Sequence, residues 1–237
     1  MDMKTKTQEI DSRPPRQADT RQRILDVAER LFMAQGYDVT SMRQITAEAG
    51  ANLAAVNYHF GSKESLIHEV FKRRLDWLNG ERLRVLDALE AAAASKPLKP
   101  SQIVDAFFGT LLRMATNKEL GGDTFLRLLG RTMNGPAGFI GALFTEEYAD
   151  VLDRYKTALY RALPDVPREE IVWRFHFMLG ATSYAIAGTD ALKLVTDWQT
   201  GDAGEASGLL QPRLMSFLLG GLRAPLPNFA PSLETMP

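Results

Sequence analysis

Three histidines, His59, His68 and His176, are the only imidazoles in 237 residues, and there is no cysteine. Thiol nucleophiles, disulfides and cysteine-ligated zinc are excluded, and no two histidines stand at the spacing with which a helix presents a metal pair. No glycine-rich phosphate loop and no serine elbow occurs either. Asp150 and Asp153 lie one turn apart, but a solvated helix face explains them. The side chains left with chemistry to offer are hydrogen-bond donors and cations: Thr40, Ser41 and Arg43, then Asn57, Tyr58, His59 and Lys63. Grouped between positions 40 and 63, they suit phosphate oxygens and base edges better than bond-breaking. An enzyme, a metal site and a cofactor are not expected.

Short helices must position these residues. Ile24, Leu25, Ala28, Leu31 and Phe32 fall on one face of a 3.6-residue period, with Asp19 or Thr20 as natural N-cap and Gly36 as the stop. A second helix follows Thr40, with Met42, Ile45 and Ala49 on one side, and ends at Gly50. A third runs over residues 52–60 and stops at Gly61. Val56 and Phe60, four apart, pin this third helix from behind and leave small or polar side chains on its other edge. Three helices with a turn at Ala49-Gly50-Ala51 read as a helix-turn-helix.

The stretch from Thr40 to Ile45 and from Gly50 to Lys63, with its Tyr58-His59-Phe60-Gly61-Ser62-Lys63 ending, resembles the DNA-binding signature of TetR-type transcription regulators, strongly over residues 20–71. The resemblance implies an all-α protein with a three-helix DNA-binding head and a C-terminal helical part that holds an effector and the dimer interface. It places Arg43 on the DNA. By their chemistry, Ala54 and Ala55 meet thymine methyls or avoid a clash in the major groove, Asn57 a base edge or phosphate, and Tyr58, His59 and Lys63 phosphate oxygens. Leu53 either meets a thymine methyl or packs inward. Thr40 and Ser41 complete the expected contact set.

The expected organisation is a flexible arm over 1–18, the head over 19–62, an effector and dimerisation domain over 63–224 and a flexible tail over 225–237. Ser62 caps a long helix over 62–94 with a stripe of Leu66, Val70, Leu75, Leu78, Val85 and Leu89, and Lys96-Pro97-Leu98-Lys99-Pro100 breaks the chain after it. Further helices are expected over 101–116, 123–134, 137–144, 146–163, 168–188, 190–197 and 209–222. Phe107, Leu111, Phe125, Leu128 and Phe144 line a candidate apolar cavity. Arg127 and Arg131, one turn apart, either grip an anion at its mouth or pair with surface acids. Trp173, His176 and Phe177 are further candidates for the lining, with a core role for His176 as the alternative. Residues 53–63 and 173–180 look like those of pseudomonad TetR-type regulators that respond to long-chain fatty acids or acyl-CoA thioesters. That likeness suggests a hydrophobic acyl effector, release of a repressor from its operator, and a helical adaptor binding only protein as the rival reading.

Charge agrees with a local rather than a global interface. The formal net charge is -1, and between residues 20 and 74 eight basic side chains face six acidic ones, a surplus of only two. One head then binds weakly, which favours a homodimer whose two heads act together on double-stranded DNA. Small residues at Gly180, Ala181, Ser183, Ala185, Ala187 and Gly188, facing Leu210, Leu214, Phe217, Leu218 and Leu219, suit a four-helix interface. No apolar run reaches the ~18 residues of a spanning helix, so a cytoplasmic protein with no membrane contact is expected.

Overall fold

A computed structural model describes residues 16–117, 119, 121–133, 148–187 and 203–227, apart from the side chains of 16–18, 116 and 203–209. The expected helices over 137–144 and 190–197, with Phe144 and Gly188, lie outside the described residues. Every regular element among them is helical, and the chain divides into two compact units, Met1–Val70 and Phe71–Pro237.

The first unit holds α1 (Arg16–Gln35), α2 (Met42–Ala49), α3 (Leu53–Phe60) and the opening turns of α4 (Lys63–Ala92). The five apolar residues of α1 read from spacing are all buried, none more than 5% exposed. The helix starts earlier than expected, at Arg16, so part of the expected flexible arm is helical. Asp19 lies inside its first turn, paired with Arg23 at 2.6 Å, rather than capping it. The stops fall where glycine was expected to provide them. Gly36 takes φ +89° with its N–H donating to the Phe32 carbonyl at 2.9 Å, and Gly50 takes φ +59° with its N–H aimed at the carbonyls of Thr46 and Ala47. These are left-handed conformations that cost an L side chain about 1–2 kcal/mol.

The second unit is built on the rest of α4. Its inward stripe is Leu75, Leu78, Arg82 and Leu86, not the expected line through Val85 and Leu89, which are half exposed. Next come α5 (Pro100–Val104), a π-helical turn (Asp105–Gly109), α6 (Thr110–Arg113) and a 3-10 turn (Met114–Thr116). The chain continues through α7 (Gly122–Met133), α8 (Ala149–Ala162), α9 (Arg168–Ile186) and α10 (Ala203–Leu222). Helix α9 packs on α7, α8 and α10. Phe107, Phe108, Tyr155 and Phe175 form an aromatic core with ring centroids 4.9–5.6 Å apart, the geometry edge-to-face and tilted pairs prefer. Arg174, buried on α9, closes the end of α10 by donating to the Leu222 carbonyl at 2.7 Å, and its charge is answered by Glu170 at 2.7 Å.

Candidate nucleic-acid interface and effector cavity

Local capping sets the orientation of α3. The Asn52 carboxamide oxygen accepts from the Ala55 N–H at 2.8 Å, and Gly61, at φ +75°, returns its N–H to the Asn57 carbonyl at 2.9 Å. Between these ends Val56 is fully buried and Phe60 nearly so. Leu53, Ala54, Asn57 and Tyr58 are exposed and, at spacings of one, four and five, share one edge; Ala55 and His59 are half-buried beside it. Tyr58 is 78% exposed and Leu53 47%, so Leu53 does not pack inward.

The electrostatics of the head come from pairing elsewhere. Arg21 pairs with Glu69, Arg23 with Asp19 and Arg30 with Glu48, which answers one acid each on α4, α1 and α2. Helix α3 itself carries no carboxylate. Arg43, exposed on α2, has no acid partner among the described residues. Lys63 holds its ammonium 4.3 Å from the centre of the Tyr37 ring and 3.5 Å from the Asp38 carbonyl, a contact too long to immobilise it. Ser41 caps α2 by accepting from the Gln44 N–H at 3.1 Å, and its own O–H remains available to donate.

One expectation changes here. Thr40 is 1% exposed and donates to the Gly36 carbonyl at 2.7 Å, so it ties the loop to the end of α1 and offers no side-chain surface to a duplex. At the start of α4 the capping groups are already engaged. The Ser62 hydroxyl accepts from the Ser65 N–H at 3.0 Å, and the Glu64 carboxylate binds its own backbone N–H, then Ser62 and Tyr37, which holds it below the usual carboxylate range. Burial, followed by the neighbouring Glu64 charge, pushes the Tyr37 hydroxyl up to about 12. Tyr37, missed in the sequence, thus braces both Glu64 and Lys63; nothing in its spacing signals this.

In the second unit Leu75, Leu78, Arg82, Phe107, Phe108, Leu111, Leu129 and Ile186 surround a cavity of about 20 Å³, with Thr182 and Ser183 from α9. Phe107 and Leu111 lie on its wall. Phe125 and Leu128 are buried but not on its wall, Phe125 standing against Phe71 at 6.0 Å between ring centres. Arg127 and Arg131 do not act together: Arg127 pairs with Asp123 one turn back, and Arg131 donates to the Ala187 carbonyl at 3.3 Å. Trp173, His176 and Phe177 do not line this cavity; Trp173 and Phe177 line instead an open groove with Pro167, Glu170, Leu226 and Pro227. All three lie on the exposed face of α9, where Trp173 and Phe177 stack at 5.7 Å, because the inward face is taken by Ile171, Arg174, Phe175 and Met178. The small residues of α9 also divide. Ser183 and Ala187 are buried against Gly130 of α7, where a Cβ on that glycine would lie 2.5 Å from the Ala187 nitrogen. Leu214 and Leu218 face their own core, while Gly180, Tyr184 and Phe217 face out.

Comparison with known proteins accounts for this arrangement. The family model described as bacterial regulatory proteins, tetR family, matches residues 24–70, and that of the tetracyclin repressor-like C-terminal domain matches 105–221, together more than half of the chain. The chain belongs to the TetR family. The tetR head match contains α2 and α3 entire, and the second match runs from the π turn almost to the end of α10. Among TetR-type relatives, the repressor KstR2 of Mycolicibacterium smegmatis is 34% identical over 86 residues, 36% of this chain and 40% of that protein. The regulator LmrA of Bacillus subtilis is 35% identical over 94 residues, 39% and 46% respectively. The matched part thus spans less than half the length of these curated relatives. The fold is also that of a TetR-like transcriptional regulator from Rhodococcus sp. RHA1, with TM-score 0.51 and 21% identity over 90% of this chain and all of the other.

Proposed function

We propose that this protein is a ligand-responsive transcriptional regulator that binds double-stranded operator DNA through α2 and α3, as a homodimer, and acts as a repressor. The observation that carries the reading is the acid-free edge of α3: Leu53, Ala54, Asn57 and Tyr58 exposed together on a helix anchored from behind by Val56 and Phe60. A slender edge of this kind fits the major groove, where Leu53 and Ala54 suit thymine methyls and Asn57 a base edge. Ser41, Arg43, Tyr58, His59 and Lys63 suit the flanking phosphates, which set register rather than sequence preference. Repression draws on the name of the KstR2 relative.

Dimerisation is supported by an exposed apolar line on α9, Trp173, Phe177 and Tyr184, beside Phe217 of α10. The effector in this reading is hydrophobic, a long-chain fatty acid or acyl-CoA, which the aromatic and aliphatic walls of the second unit suit. No catalytic turnover is proposed, and direct assay of acyl-CoA hydrolysis checks that. No described helix is long and apolar enough to cross a membrane, which fits the proposed cytoplasmic setting.

The test is selection of bound duplexes from a random pool, followed by titration of the selected duplex at several salt concentrations with and without oleoyl-CoA and palmitate. Retention of a pseudo-palindrome is expected. With about four phosphate contacts, affinity should fall on the order of a hundredfold between roughly 50 and 200 mM salt. Retention of no duplex at low salt contradicts the regulator reading; indifference to every acyl species contradicts the effector assignment alone.

A further inference from the structure

Arg82 is a charged residue in the middle of an apolar stripe, only 3% exposed. Its Nε donates to the Phe107 carbonyl at 3.0 Å and one terminal nitrogen to the Asn79 carboxamide oxygen at 2.9 Å, while the guanidinium lies 3.7 Å from the centre of the Phe107 ring. Those partners use two of its five N–H groups, and all are neutral. Among the described residues no carboxylate reaches it, whereas the other deeply buried arginine, Arg174, has Glu170. A buried guanidinium facing only neutral groups is poorly compensated, and the ring face returns part of the deficit. Burial draws its pKa down to about 9, so the charge is retained at neutral pH.

Independent observations point to an absent partner on the same cavity. Thr182 from α9 is 3% exposed and lines the space with Arg82, and its hydroxyl has no hydrogen-bond partner among the described residues. The Asn79 amide nitrogen, next to the guanidinium, is unpartnered as well. Donors held out of water without an acceptor cost free energy that a bound acceptor recovers. Apart from Ser183, whose hydroxyl donates to the Gly180 carbonyl at 3.0 Å, the remaining wall is apolar, through Leu75, Leu78, Phe108, Leu111, Leu129 and Ile186, and Met133 and Leu179 are its half-exposed members. The π turn that carries Phe107 is the kind of helix irregularity that recurs at functional sites.

We propose that Arg82 and Thr182 hold the carboxylate of an apolar monocarboxylate effector, whose hydrocarbon body lies against the aliphatic wall toward Met133 and Leu179. The inference rests on the ligand-responsive reading above and specifies the charged end of its site. A cavity of about 20 Å³ has room for about one water. Seating a carboxylate therefore displaces Met133 and Leu179, and an unbranched methionine yields at small cost. The guanidinium fork supplies two parallel donors to the carboxylate, and the threonine hydroxyl a third.

Calorimetric titration of the full chain with octanoate and with octan-1-ol tests this, since the two share a tail and differ in the head. Octanoate should bind about tenfold or more tightly than the alcohol, as expected for a hydrogen bond to a charged group. Arg82→Met should erase that preference. Thr182→Val should weaken octanoate severalfold while leaving the unfolding midpoint of the ligand-free protein unchanged or higher, because the hydroxyl it removes has no partner. If Arg82→Met does not fold by circular dichroism, Thr182→Val carries the test. Equal or tighter binding of the alcohol, no binding of octanoate, or wild-type octanoate affinity in Thr182→Val overturns the proposal. Operator binding is measured on the same preparation: its absence overturns the regulator reading, whereas operator release by an uncharged effector overturns only this one.

Discussion

Tyr58 and Phe60 stand two positions apart on α3 and have opposite duties, because a helix turns 100° per residue and carries one to solvent and the other to the core. Phe60→Ala removes a buried ring and should cost about 3–5 kcal/mol of stability, read as a lower thermal midpoint. Tyr58→Ala, on the exposed edge, should stay within about 0.5 kcal/mol of the parent. The Tyr37–Glu64 pair makes a pH-dependent contribution of determinate sign. The Tyr37 hydroxyl is raised from 10.0 to about 12, so its contribution is complete below pH 10 and is lost as pH rises through 12. Glu64 is lowered from 4.5, so its share is present above that value and is lost as pH falls through the depressed one. Denaturation as a function of pH should therefore show a flatter alkaline limb in Tyr37→Phe and a flatter acid limb in Glu64→Gln. Parent-like limbs in both variants contradict the pairing.

Elements in the first unit were legible because their ends are written locally. Ser41, Gly50, Asn52 and Gly61 each satisfy a backbone group within a few residues, so one sequence suffices to place α2 and α3. Periodicity served less well in the second unit. The expected stripe of α4 ran through Val85 and Leu89, whereas the buried one runs through Arg82 and Leu86, a course that the Phe107 ring and carbonyl make tenable for a charged side chain. On α9 apolar residues occupy every side, so Trp173 and Phe177 read as interior although they stand on the exposed face of the helix. The crossing of α7 and α9 is equally non-local: Gly130 is required by Ala187 and Ser183, 57 and 53 positions away. Gly130→Ala should lower stability by about 1–3 kcal/mol through overpacking, whereas Gly180→Ala, with nothing within 4 Å of its new carbon, should leave the fold of the single chain intact. Denaturant titration of both variants checks the contrast.

At the scale of the whole molecule, two observations need a partner. Residues 20–74 carry a surplus of only two positive charges, and among the described residues the outer face of α9 and α10 exposes a line of large apolar side chains, Trp173, Phe177, Tyr184 and Phe217. The proposed symmetric dimer would answer both, covering the apolar face and doubling the weak head. The double variant Phe177→Glu, Phe217→Glu should sediment as a folded monomer and lose most operator affinity; an unaltered dimer places the interface elsewhere. The most direct test of the central claim, that the exposed edge of α3 with Lys63 grips duplex DNA, is fluorescence anisotropy of a selected operator with the Tyr58→Ala, Lys63→Ala protein. At least a tenfold loss of affinity is expected, about 1.4 kcal/mol, with an unchanged thermal midpoint and dimer mass. Parent-like affinity in that folded, dimeric variant would contradict the account.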